Sequence, residues 1–359
     1  MMMTRVLMIG NHSSNKGGMT SVINQIKEYD WKSKGIELTF VPTFIPGNAV
    51  KKTLFFICAY LRICMRMLFC KPDIVHMHMS YKGSFSRKYI IHRLCRLFKV
   101  KDVIHLHGSE FEKWYNESSN KKKNKIRRLL AESNAFIVLG EGWKNAVQKI
   151  EPTVNAVVIS NGIEIPQERV HWNGNCCQLL FLGVLIQRKG VSDLLQALSI
   201  IKQKSTSNKI RVVIAGTGEE EARLKKQASD AGLDDDVIFA GWVSGLKKKE
   251  LILSSQVMVS PSYNEGLPIS LLEAESYGMP IVATDVGDIS SIVNDGVNGR
   301  LIKPGEIESL AEAIISVTEE TCFERMSIES RRIIENSFSI DMFYSKLVEL
   351  YKRLGENNA

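Results

Sequence analysis

The chain has 359 residues, 44% hydrophobic, 24% charged and 8% aromatic, with 9 prolines and 25 glycines. That composition excludes a disordered chain, a collagen-like repeat and a disulfide-built miniprotein. The length predicts two domains of ordinary size, each able to bury its own core, with the cleft between them as the first place to look for function. The cysteines, Cys58, Cys64, Cys70, Cys95, Cys176, Cys177 and Cys322, form no C-x-x-C pair and are odd in number, which fits a reducing, cytoplasmic compartment. The opening MMMTRVLMIGN brackets only Val6 to Gly10 between Arg5 and Asn11, so it reads as a first strand and not as a signal peptide.

Charge is divided unevenly. Residues 1–165 carry 26 Lys+Arg against 12 Asp+Glu, a net +14, whereas the remainder carries 21 against 27, a net −6. A basic first half on an acidic second half calls for a polyanionic partner at the first half; the competing reading is surface charge kept for solubility.

In chain order, Thr4 to Ile9, Asp73 to His78, Lys101 to His107, Ala135 to Leu139 and Ala156 to Ser160 are short apolar runs that read as five buried parallel strands. Ile165 to Cys176, polar and containing Pro166 and Gly174, reads as the domain boundary. Gln178 to Leu182, Lys209 to Ala215, Asp236 to Ala240, Gln256 to Ser260, Pro280 to Thr284 and Gly299 to Ile302 then repeat the strand pattern. Between them Val191 to Lys204, Glu219 to Ala231 and Ser309 to Val317 carry apolar residues at helical spacing. The alternation predicts an α/β fold of two Rossmann-like, doubly wound domains facing an interdomain cleft. The first spans residues 1–168 and the second 169–340; a C-terminal helix over 341–359 follows, its Phe343, Leu347, Leu350, Tyr351 and Leu354 on one face, packing back across the junction.

Two segments of the first half bear on the polyanion. Lys51 to Lys71 (KKTLFFICAYLRICMRMLFCK) is the most apolar stretch, yet Arg62 and Arg66 interrupt it, so it is too short and too charged to span a bilayer. Arg62 and Arg66 lie four apart on one helical face, which suits an interfacial membrane helix; a core helix with one solvated basic stripe is the other reading. Lys121, Lys122 and Lys123 open a run of six cations in eight positions (KKKNKIRR), again in the first half. The combination favours an anionic membrane surface, and no nucleic-acid-reading motif supports the alternative polyanion.

The most specific stretch is Asn264 to Gly287, NEGLPISLLEAESYGMPIVATDVG. Pro268 starts a helix without losing a bond, so the backbone N–H groups around Gly266 and Leu267 are left to bind an anion. Glu265 stands just before this helix and Glu273 within it. Carboxylates repel phosphate, so both are expected to accept hydrogen bonds from sugar hydroxyls beside a phosphate seated on the helix end.

This segment resembles the signature of the retaining glycosyltransferases of family 4, the group 1 enzymes of GT-B fold, whose E-x7-E motif it matches at Glu265 and Glu273. Six further landmarks follow the family order: Lys16-Gly17-Gly18, His107-Gly108, Asn161-Gly162-Ile163, Arg188-Lys189-Gly190, Gly216-Thr217-Gly218 and Gly241-Trp242-Val243. Read physically, Gly17 and Gly18 either let backbone amides approach a phosphate or sugar or make a tight turn. The resemblance implies that His107 positions the donor sugar, Lys189 neutralises the diphosphate and Glu265 holds sugar hydroxyls. It further implies that Glu273 holds the ribose, and that Gly241, Trp242 and Val243 hold the base. Asn264, Gly266 and Leu267 complete the donor loop. Where the family has an Arg after the strand, this chain has Val184, and Arg188 is the candidate substitute. His76, His78 and His105 also lie on strands, where alternation is read as giving mixed orientations and a structural or undecided role.

The resemblance thus implies transfer of a hexosyl unit, with retained configuration, from a nucleotide diphosphate sugar to a glycan acceptor. Likeness to polysaccharide and O-antigen assembly members points to a UDP-sugar. It also points to a polyprenyl-diphosphate-linked acceptor and peripheral attachment at the inner face of the cell membrane. No Asp-x-Asp metal motif stands near these residues, so neither metal nor cofactor is expected. A UDP-sugar 2-epimerase on the same fold, or a catalytically weak partner of another transferase, are the alternatives.

Overall fold

AFIV is apolar without a break, and IVHMHM is buried along its whole length, because a parallel sheet is covered by helices on both faces and leaves neither side to water. A computed structural model describes residues 3–15, 17–174, 176–204 and 209–356. Lys16, named in the sequence reading, lies outside the described residues, as do residues 1–2, 175, 205–208 and 357–359.

The first sheet is built from β1 (Thr4–Asn11), β2 (Ile36–Phe44), β3 (Ile74–Met79), β4 (Lys101–Leu106), β5 (Ala135–Val138) and β6 (Ala156–Val158). Their order is β2-β1-β3-β4-β5-β6, with every pairing parallel. Helices α1 (Gly18–Glu28), α2 (Ala49–Phe69), α3 (Gly83–Phe98), α4 (Phe111–Asn116), α5 (Asn120–Glu132) and α6 (Glu141–Ile150) connect the strands. The second sheet has β7 (Cys176–Leu182), β8 (Lys209–Ala215), β9 (Val237–Phe239), β10 (Val257–Ser260), β11 (Ile281–Thr284) and β12 (Gly299–Ile302), in the order β12-β11-β10-β7-β8-β9 and again all parallel. Its helices are α7 (Val191–Gln203), α8 (Glu221–Asp230), α9 (Gly245–Leu253), α10 (Ile269–Ser276), α11 (Ile307–Val317) and α12 (Glu320–Ser337); α13 (Ile340–Glu356) ends the described chain. Two Rossmann-like units result, as the strand-helix alternation implies.

The strand missing from the sequence reading is β2. Its sequence IELTFVPTF alternates in burial and contains Pro42, so it lacks the continuous apolar signature of its neighbours. It lies at the edge of its sheet, where one face can be wet and a proline removes no ladder bond that the fold needs.

One compact unit comprises the chain up to Asn161 together with the segment from Asp341; the other is Gly162–Ile340. The polar stretch that the sequence reading places around the boundary at 168/169 is held by the second unit. Val170 N–H donates to the Tyr277 carbonyl (2.8 Å), Gln256 Nε2 to the His171 carbonyl (3.1 Å) and Arg331 Nη2 to the Pro166 carbonyl (2.6 Å). Helix α13 packs on the first sheet's unit: Tyr344 stacks on Tyr29 at 3.9 Å and donates to the Gln25 carbonyl, while Lys101 Nζ donates to the carbonyl of Leu354.

The first sheet has two chemically different faces. Leu7, Ile9, Val75, Met77, Ile104 and Phe136 share one core with Ala59, Ile63 and Met67 of α2 and Ile126 and Leu129 of α5. By alternation His76, His78 and His105 face the opposite side, where His76 Nδ1 hydrogen-bonds the Tyr351 hydroxyl of α13. The sequence reading of mixed histidine orientations is therefore corrected. His76 and His78, and likewise His105 and His107, are two apart, and parallel pairing sets His78 opposite His105.

Arg331 is buried and donates to the carbonyls of Ser276 and Pro166 as well as to Glu335 Oε1. Arg331→Met leaves two carbonyls without their charged donor and should lower unfolding stability by about 2 kcal/mol. A shift of the urea midpoint to lower concentration measures it; an unchanged midpoint would show that the boundary segment is held by other contacts.

Candidate functional site

In the second sheet the strand order reverses between β7 and β10, and ligands of open parallel sheets bind beyond the carboxyl ends of strands at such a reversal. The loops leaving these two strands carry Arg188 and Lys189 on one side and Asn264 and Glu265 on the other. They meet. Lys189 Nζ pairs with Glu265 Oε1, and Ser262 Oγ donates to the same oxygen at 2.8 Å. Arg188 Nη1 donates to the Asn264 carbonyl at 2.7 Å and lies 3.9 Å from Glu265 Oε2. The guanidinium of Arg188 thus lies beside the Lys189–Glu265 pair, while Val184 is 39% exposed and carries no charge.

Glycines let the loops come this close. A Cβ on Gly190, which has φ +67°, would lie 1.9 Å from the Pro261 carbonyl oxygen. One on Gly287, with φ +61°, would lie 2.1 Å from the carbonyl oxygen of Glu265. Both positions therefore require glycine for conformation and for space. The loop on either side of Glu265 is fixed by Thr284, whose hydroxyl donates to the Ser262 carbonyl, and by Asp288, whose N–H donates to the Gly266 carbonyl at 3.2 Å. Helix α10 starts at Ile269 with Pro268 as its N-cap, so its first-turn N–H groups open toward the Glu265–Leu267 loop. A cavity of about 610 Å³ adjoins on the Arg188 side, lined in part by Ile186, Arg188, Asp193 and Tyr263.

Glu273 lies on α10 and pairs with Lys248 Nζ of α9. Lys248 is absent from the sequence reading, although the Lys247–Lys249 run lies in the first turn of α9, just after the Gly241–Val243 loop. Two residues on, Glu275 turns into the core. It is fully buried, accepts from Asn298 Nδ2 at 2.6 Å, and burial pushes its carboxyl well above the usual range. Helical spacing thus assigns one glutamate to the site edge and the other to the interior. Gly241 has φ +67°, Trp242 is 39% exposed and Val243 is buried.

In the first unit the order reverses between β1 and β3. Gly17, with φ +126°, is the N-cap of α1 and Gly18 its first residue. His107 directly follows β4; its N–H donates to the Met79 carbonyl at 2.8 Å, and its Nε2 shares a hydrogen bond with His78 Nδ1 at 2.9 Å. Burial lowers His107 and His76 to about 3 and holds His78 and His105 well below their ordinary value, so all four rings are neutral at pH 7. The sequence reading overlooks Lys88. Helical spacing with Phe85, Ile91 and Cys95 sets it on the inner face of α3, fully buried, with Nζ donating to Thr43 Oγ1 at 3.2 Å.

The basic segments differ in their use. Arg62 is exposed, whereas Arg66 is half-buried and donates to Thr39 Oγ1 at 3.4 Å. The outer stripe of α2 is not the solvated basic stripe of the core-helix reading. Val50, Leu54, Ile57, Leu61, Met65 and Leu68 recur at helical spacing and are 47–67% exposed. Lys121 and Lys122 are exposed at the start of α5; Lys122 and Lys123 lie over the rings of Trp114 and Tyr115. Among the described residues no helix is long and apolar enough to cross a membrane.

The sequence profile described as Glycosyl transferases group 1 matches residues 166–339. The uncharacterized glycosyltransferase MJ1607 of Methanocaldococcus jannaschii is 30% identical over 305 residues, which span 79% of this chain and 75% of that protein. The UDP-Gal:alpha-D-GlcNAc-diphosphoundecaprenol alpha-1,3-galactosyltransferase of Escherichia coli is 24% identical over 347 residues, 90% of this chain and 85% of that protein. Among solved structures, HepE of Anabaena in complex with UDP has the same fold, with a TM-score of 0.78 over 98% of this chain and 100% of that one at 17% identity.

Burial, with Arg87 as a like-charged neighbour, lowers Lys88 from 10.5 to about 7. The unfolded chain therefore binds more protons than the folded one between pH 7 and 10.5, and stability due to this group rises with pH across that window. Lys88→Met should flatten the dependence there and raise stability most at pH 7. Urea unfolding at pH 7 and 9.5 tests it; equal slopes for both proteins would contradict the buried cation.

Proposed function

This chain belongs to the group 1 glycosyl transferase family, and from that membership we propose that it moves a hexosyl unit from a UDP-sugar to a hydroxyl of a lipid-linked glycan acceptor, with retained anomeric configuration, in bacterial surface polysaccharide synthesis. The observation that carries the reading is the meeting of Lys189, Arg188 and Glu265 beside the opening turn of α10, where the second sheet reverses. The choice of donor and acceptor leans on the galactosyltransferase relative, whose name gives a UDP-sugar and a diphosphoundecaprenol-linked acceptor, and on HepE, which binds UDP.

On this reading the second unit, residues 169–340 of the sequence reading, binds the donor. Lys189 leaves Glu265 and turns to the diphosphate, joined by Arg188 and the first-turn N–H groups around Gly266 and Leu267. Glu265, released, accepts from the sugar hydroxyls, with Asn264 beside it. Glu273, set by Lys248, accepts from the ribose, and Gly241 to Val243 border the base. The bond from the anomeric carbon to the diphosphate oxygen breaks, and the charge left on that oxygen meets cations already in place. The acceptor hydroxyl attacks on the same face and gives its proton to the departing phosphate. His107 positions the donor sugar, the role that the family resemblance assigns to it, with Gly17 and Gly18 offering backbone amides from α1. These protein cations do the work of a metal at the diphosphate. Arg188 also answers the charge that Val184 leaves out, which weakens the reading as a silent partner.

The first unit is proposed to meet the acceptor at an anionic membrane surface. Helix α2 has no acidic residue, an exposed apolar stripe and Lys51, Lys52 and Arg62 along its flanks. That is the composition of a helix lying in the interface, with Lys121 to Lys123 adding charge from α5 on the same side of the sheet.

Two outcomes are expected. With a polyprenyl-diphosphate-linked sugar as acceptor, the wild-type protein transfers sugar from one member of a UDP-sugar panel, and Lys189→Met lowers kcat about 10²–10³-fold; no transfer from any UDP-sugar would overturn the reading. Sedimentation with vesicles of phosphatidylglycerol and phosphatidylethanolamine is lost when Leu61 and Leu68 become Gln. It becomes weaker when Arg62 and Lys121 to Lys123 become Gln. Undiminished binding of both variants would remove the membrane-facing role.

A further inference from the structure

We propose that His76, His78 and His105 form a binding site for one divalent metal ion of the zinc type. The three rings are fully buried on the face of the first sheet opposite α2, and their ligand nitrogens lie within 4.8 Å of one another. Strand geometry puts them there: His76 and His78 project from one side of β3, and His105 is the parallel partner of His78 on β4.

The pattern of hydrogen bonds points to a metal. His76 uses Nδ1 on the Tyr351 hydroxyl, and His78 uses Nδ1 on His107 Nε2, at 2.9 Å for the second pair. The Nε2 atoms of both rings, and both nitrogens of His105, are buried with no hydrogen-bond partner. In the tautomer in which Nδ1–H is the donor of each pair, Nε2 is left as a bare lone pair, and an outer partner on the far ring nitrogen is what orients a metal-bound imidazole. A buried imidazole nitrogen with nothing to bind costs free energy, and here several converge. A single water has two protons to offer three lone pairs, whereas one cation satisfies all of them. Three neutral imidazoles suit zinc and cobalt, at about 2.0–2.1 Å per bond, with a fourth position left open. Side-chain rotation of the rings closes the remaining distance. The site is separate from the cations around Glu265, and its existence does not depend on the donor or acceptor proposed above.

The test uses the full chain freed of any histidine tag and of metal by dialysis against a chelator. Zinc titrated by calorimetry should bind at one equivalent and raise the thermal midpoint, and cobalt should give the intense visible bands of a low-symmetry, four-coordinate ion. His76→Gln and His105→Gln should each weaken zinc at least 10-fold, Tyr351→Phe about 10-fold through loss of the outer hydrogen bond, and His171→Gln, at an exposed position, not at all. Absence of stoichiometric zinc binding by the folded wild-type protein would overturn the proposal, whatever the variants do. Equal affinity in the wild type and in His105→Gln would overturn it as well.

Discussion

The contact between Lys189 and Glu265 is the constraint around which the second unit's site is arranged. Glu265 is 8% exposed, and a carboxylate so far from water must have a cation and hydrogen-bond donors close by. Lys189, Arg188 and Ser262 provide them, and the chain between and around these residues is shaped to allow it. Gly190 lets the Lys189 turn lie on the Pro261 carbonyl; Gly287 lets the following loop lie under Glu265. An ion pair of this kind adds little net stability, because desolvating both charges offsets their attraction. Its value lies in presenting a cation and a carboxylate whose partners a ligand can replace, which a hydrophobic contact of equal size does not offer.

The two units divide the chemistry. The acidic second half brings two of its cations, Arg188 and Lys189, together at the strand-order reversal, whereas the basic first half spreads charge over α2, α3 and α5. In α2 the exposed apolar stripe is what supports the proposed membrane-facing role, since cations alone on a helix describe an ordinary wet surface. The opposite face of the same sheet is closed by α1 and α13 and holds the histidines. Its neutral rings set His107 in place from behind, through His78, at the carboxyl edge of the sheet.

Much of this was legible in the sequence, and the reasons are physical. Buried parallel strands announce themselves as unbroken apolar runs, so eleven of the twelve described strands and several of the helices can be placed from pattern. The edge strand β2 cannot, because it alternates and contains Pro42. The loop residues 261–268 are legible because glycine and proline at fixed offsets have few other uses. The pairing of Glu273 with Lys248 is not, because it joins two helices through a lysine that looks like any surface lysine. Lys88 was hidden for the opposite reason: a cation on the inner face of a helix contradicts the pattern from which faces are read. The histidines were visible, but their common face follows only when the two-residue spacing within each strand is combined with the register of β3 against β4.

The most direct test of the central claim, that the Lys189–Glu265 cluster receives a nucleotide diphosphate, is calorimetric titration of UDP, GDP and ADP into the wild-type protein and into Glu273→Ala and Lys189→Met. The account predicts binding of UDP in preference to the other two. It further predicts weakening in Glu273→Ala through the ribose and in Lys189→Met through the diphosphate. Absence of binding by all three nucleotides, or equal UDP affinity in the wild type and both variants, would contradict it.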